Sequence, residues 1–165
     1  LNGINREYIK KIIGQPLISI GRVADMLWIC MGETIVVKNY KGEEVEKSSL
    51  AIHVQSPWRI TDVQNESILL AAHDVYEPKS DCKWSEEFEW DISGNNLFDE
   101  RVEEWNKSLG VVYVMDYELN VYGDLEIFLS NNCIIEIFIN KSSKVESWRF
   151  FEPYSEKEHL IIPTM

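Results

Sequence analysis

The chain has 165 residues, 45% of them hydrophobic and 27% charged, with a formal net charge of −12. Length and composition predict one globular domain, residues 1–165, that buries a core without metal or disulfide, and they exclude a disordered chain. The acidic balance disfavours nucleic-acid phosphates and anionic lipid as partners and suits a basic protein.

Taken in order, residues 4–13 predict a short helix, with Tyr8, Ile9, Ile12 and Ile13 on one face and Gly14 and Pro16 ending it. Strand patterns begin at Leu17. Residues 24–31 are apolar apart from Asp25, a turn is expected near Gly32, and 34–40 continues as a strand. Lys41 and Gly42 signal a second turn. Residues 48–55 alternate, with Leu50, Ile52 and Val54 on one face. Pro57 ends that strand, and Trp58-Arg59-Ile60 follows. The segment 68–76 is short and apolar and is read as a strand.

Phe88, Trp90 and Ile92 alternate with Glu87, Glu89 and Asp91, which predicts a half-buried strand with an acidic outer face. The clearest helix spans 97–109. Its stripe is Phe98, Val102, Trp105 and Leu109, with Asn96 as cap, Asp99 and Glu100 in the first turn, and Gly110 beyond the end. Residues 111–119 form a strand, and 124–130 and 133–139 a hairpin around Asn131-Asn132. Strands at 146–151 and 159–162 close the chain. The expected fold is α+β: a mostly antiparallel β-sheet, free to curl, with two short helices packed on it.

Motifs for catalysis are missing. His53, His73 and His159 show no metal-ligand spacing, and no phosphate-binding or nucleophile-elbow pattern occurs. Residues 91–99 place oxygen ligands roughly as a calcium loop does, but the glycine and the closing acid are misplaced. No cofactor, metal or catalytic residue is therefore assigned. Cys30, Cys82 and Cys133 are scattered and odd in number, which reads as free thiols in a reducing compartment. No apolar run reaches the ~20 residues of a membrane span and the first residues carry no signal-peptide pattern, so a cytoplasmic location is expected.

The sharpest feature is the segment 85–104, where eight acids stand against one base, a net −7. A field of one sign attracts and steers a partner of the other. Glu87, Glu89, Asp91, Glu100, Glu103 and Glu104 are the candidate partner-binding residues of a non-enzymatic protein-binding domain. A second reading is a small-ligand or enzymatic pocket lined by His53, Trp58, Arg59 and Trp148. A third is a homodimer formed at an exposed strand edge.

The runs Gly21-Arg22-Val23-Ala24-Asp25-Met26-Leu27-Trp28, His53-Val54-Gln55 with Pro57-Trp58-Arg59-Ile60, Asp74-Val75-Tyr76 with Pro78, Trp90-Asp91 with Gly94-Asn95 and Phe98-Asp99, and Trp148-Arg149-Phe150-Phe151 together resemble a family of small uncharacterised proteins from Gram-positive bacteria. That resemblance implies a compact bacterial domain with no assigned activity. In size and acidity the chain is also similar to immunity proteins of bacterial toxin systems, which implies an inhibitor docking its acidic face on a basic toxin.

Overall fold

The computed structural model describes residues 7–163. Among the described residues, ten antiparallel strands form two five-stranded sheets. The first contains β1 (Leu17–Val23), β2 (Met26–Lys38), β3 (Glu44–Val54), β9 (Trp148–Phe151) and β10 (Leu160–Ile162), in the order β1-β2-β3-β9-β10. The second contains β4 (Trp58–Asp62), β5 (Ser67–Ala71), β6 (Val114–Leu119), β7 (Leu125–Leu129) and β8 (Cys133–Ile137), in the order β5-β4-β8-β7-β6. The period-2 alternation that predicts strands also puts one face of each sheet into a common core. Ile29, Ile52 and Phe150 come from the first sheet, and Ile60, Ile127 and Ile135 from the second, all fully buried.

Helix α1 (Leu97–Ser108) packs against β1 and β5, one edge strand of each sheet. Asn96 caps it, its side chain accepting a hydrogen bond from the Asp99 N–H at 2.9 Å. Phe98, Trp105 and Leu109 are buried, and Val102 is half-buried, so the expected apolar stripe is the packed face. Trp58 of β4 meets Phe98 edge-on, with ring centroids 5.7 Å apart. On the other side, the Asn106 amide accepts from the Ile20 N–H at 3.1 Å and donates to the Ile20 carbonyl at 2.9 Å. A side-chain amide thus takes the place of a neighbouring strand along the edge of β1.

Several expectations are corrected. One sheet was expected, and two form, because β4 leaves β3 at Pro57 and pairs with β5 and β8 instead. Gly32 is no turn. β2 runs straight through it with a bulge between Met31 and Thr34, and Gly32 takes φ +88° there. The segment 68–76 divides into β5 and a 3₁₀ turn, Ala72–Tyr76, in which the Asp74 carboxylate accepts from the Ala71 N–H. Residues 4–6 of the first predicted helix lie outside the described residues. Glu7–Ile9 is helical and continues as a 3₁₀ turn, Lys10–Ile12, with Ile9 and Ile12 buried but Ile13 exposed. The hairpin at Asn131-Asn132 is present, with positive φ at Asn132 alone, as in a three-residue loop rather than a two-residue one.

Candidate functional site

The acidic strand expected at 88–92 does not form. Its carbonyls are taken locally: the Asn95 amide donates to the Glu89 carbonyl and the Asn96 amide to the Trp90 carbonyl, both at 2.8 Å. The backbone turns on itself through Phe88 N–H to the Ser85 carbonyl and Asn95 N–H to the Ile92 carbonyl. Residues 79–95 are instead one long loop whose ends are pinched together by the Leu97 N–H on the Glu77 carbonyl and a bridge between Pro78 and Asn96. Trp90 anchors it, packing edge-on against Tyr76 at 5.0 Å. Loops of this length in a compact domain that hold a defined shape are commonly functional.

The six candidate acids separate into two kinds. Glu87, Glu89 and Asp91 are exposed on the loop, and Glu104 is exposed on α1. Glu100 accepts from the Ser80 N–H and hydroxyl, which holds its carboxyl below the usual range, and Glu103 is likewise lowered by Lys107. These two acids fasten the loop and the helix. Asp99 is engaged more firmly still. Arg22 of β1 grips it with two parallel bonds, Nε to Oδ1 at 2.7 Å and Nη2 to Oδ2 at 2.6 Å, and the Gly94 N–H adds a third. Burial works to raise the Asp99 pKa, but Arg22 and Gly94 outweigh it and the net shift is downward. Beside the acids, Trp84 is 66% exposed and Ile92 51%.

The four residues of the alternative pocket do not converge. Trp148 is wholly buried, its indole N–H donating to the Gly123 carbonyl at 2.8 Å. His53 stands on the outer face of the first sheet, edge-on to Phe151, whose ring also stacks on His159. Burial lowers the His53 pKa, with Arg149 adding to the effect. Trp58 and Arg59 do share a cavity. Arg59 forms a bidentate pair with Glu136 at 2.7 and 2.8 Å and lies over the Phe138 ring.

That cavity has a volume of about 640 Å³ and opens where the chain crosses from one sheet to the other. Gln55, Ser56 and Pro57 of the crossover form one wall and Ala71, Ala72 and His73 another. Phe138, Asn140 and Lys141 follow β8, and Asp25 and Met26 come from the β1–β2 turn. Of the four residues expected at a pocket, Trp58 and Arg59 line this cavity, His73 lines it where His53 was expected, and Lys141 joins them without any signal in the sequence. The one local signal was Pro57, which marks the crossover.

A second acidic row also escaped the sequence. Glu118, Glu126 and Glu136 are direct cross-strand neighbours on β6, β7 and β8, with Arg59 at the end of the row. Among the described residues, no group of three or more His, Cys, Asp or Glu is placed to hold a metal ion, and no helix is long and apolar enough to cross a membrane. The fold and its surface define a two-sheet antiparallel β domain that carries an acidic loop and a crossover cavity, with Tyr76 lining the cavity and packing on Trp90 of the loop. Comparison with protein-family models, curated proteins and solved structures finds no match for this chain.

Proposed function

We propose that the chain is a non-enzymatic protein-binding domain that docks the acidic loop 79–95 on a basic partner, in its most specific form an immunity-type inhibitor covering the basic site of a toxin. The observation that carries the reading is Trp84, two-thirds exposed within a loop that also presents Glu86, Glu87, Glu89 and Asp91 to solvent. An exposed tryptophan is the commonest kind of interface anchor, and the charge around it supplies steering. The acidic row on the second sheet is partly neutralised by Arg59. Glu100 holds the loop through Ser80 and Glu103 is paired with Lys107 along the helix, so the contact acids of this reading are Glu87, Glu89 and Asp91, with Glu104 beside them.

The test compares wild type with Trp84→Ala and with Glu87, Glu89 and Asp91 all reversed to lysine. Partners are captured from extract of the source organism, and association is then timed at two ionic strengths. The reversal is expected to slow association by roughly tenfold or more at low salt, with the gap closing as salt rises. Trp84→Ala is expected to speed dissociation instead. A partner that binds the reversed and wild-type proteins at the same rate at both salts, or an extract with no partner that tells them apart, overturns the reading.

A further inference from the structure

We propose that the crossover cavity is a binding site for a small organic anion, an apolar body ending in a carboxylate, independent of the acidic loop. Its size suits such a ligand: about 640 Å³ lies within the range of small-molecule sites. Its chemistry divides in two. Pro57, Met26 and Phe138 give an apolar bed, and Ala71 and Ala72 leave room above it because they are small.

The polar groups are mostly donors with capacity to spare. Among the described residues Lys141 has no carboxylate partner; its ammonium reaches only the Gln55 carbonyl, at a long 3.4 Å. Arg59 spends Nε and Nη2 on Glu136 and leaves Nη1 free. The one carboxylate in the lining, Asp25, already accepts from the Tyr76 hydroxyl at 2.6 Å. In a chain of net charge −12, this cavity gathers the Lys141 ammonium and the free Nη1 donors of Arg59 in one place. An anion is the ligand that uses both, and an apolar body is what the remaining wall accepts.

The probes are indole-3-acetate, its neutral amide and inorganic phosphate, with binding followed by chemical-shift perturbation and calorimetry. Indole-3-acetate is expected to perturb the residues of this cavity. The amide should bind about tenfold or more weakly, and phosphate, which has no apolar body, should not bind measurably. Lys141→Met, at an exposed position outside the core, should narrow the difference between acetate and amide several-fold, leaving what Arg59 contributes. Ala72→Trp should remove binding of both. If Ala72→Trp does not fold, the Lys141→Met comparison alone decides. Equal binding of acid and amide by wild type, an unchanged preference in Lys141→Met, or no binding of the acetate at 10 mM (about 2.7 kcal/mol of affinity) each overturns the proposal. Trp84→Ala and the lysine reversal of Glu87, Glu89 and Asp91 should bind indole-3-acetate as wild type does, so the two proposals fail separately.

Discussion

Replacing Asp99 by Asn tests whether the Arg22 pair is what ties α1 to the first sheet. Arg22 and Asp99 are the most deeply buried ion pair among the described residues, with side chains 7% and 15% exposed. Arg22 also donates to the carbonyls of Ala24 and Ile92, so it links the β1–β2 turn, the acidic loop and the helix. Asn keeps the shape and one acceptor, but it turns an amide toward the guanidinium and leaves a buried cation uncompensated. Breaking such a pair costs about 3–5 kcal/mol. The acid dependence has a definite sign. The folded pKa of Asp99 lies below its unfolded value of about 3.9. The contribution is therefore complete above the unfolded value and is lost as pH falls toward the folded one. Urea denaturation of wild type and Asp99→Asn should differ by the full amount at pH 7 and by clearly less at pH 3. The double variant Arg22→Met/Asp99→Leu should cost less than the two single changes added together, because it removes both charges. A loss below about 1 kcal/mol at pH 7, or one that does not shrink in acid, would refute this account of the helix.

Trp105→Ala should destabilise by about 3–5 kcal/mol, whereas Trp105→Phe should cost distinctly less, since the buried indole N–H has no partner to lose; chemical denaturation of both variants decides. Asn106→Leu removes both bonds to Ile20 and should cost about 2 kcal/mol, with faster hydrogen exchange at the Ile20 amide as the specific readout. All three cysteines should titrate as free thiols in denaturant, and in native protein exposed Cys82 should react before buried Cys133, whose thiol pKa burial pushes up.

The parts of this fold that were legible in the sequence depend on neighbours along the chain. α1 is the plainest case. Asn96, the 3.6-residue stripe and Gly110 act within a few residues of one another, and the helix starts and stops where they place it. The strands are legible for the same reason, since alternation at Leu50, Ile52 and Val54 already separates the buried face from the other. Periodicity alone was not enough at 88–92. There the alternation is good, but the two asparagines that follow take the carbonyls a neighbouring strand would need.

What the tertiary structure decided is which distant residues meet. Strand pairing is a long-range choice, made by which apolar faces can share one core, and no local pattern records it. It brings Arg22 to Asp99, 77 positions apart, so an acid that reads as a partner of the helix dipole becomes a structural tie. It sends Trp148 into the core and His53 to the outside of a sheet, while Trp58 and Arg59 gain Lys141, more than eighty residues along the chain, as a companion. The acidity of the chain was present in its composition, but which acids remain free depends on where the donors come to rest. Ser80 and Lys107 claim Glu100 and Glu103, and Glu87, Glu89 and Asp91 stay in solvent because the loop's own asparagines bind its backbone and leave those side chains turned outward.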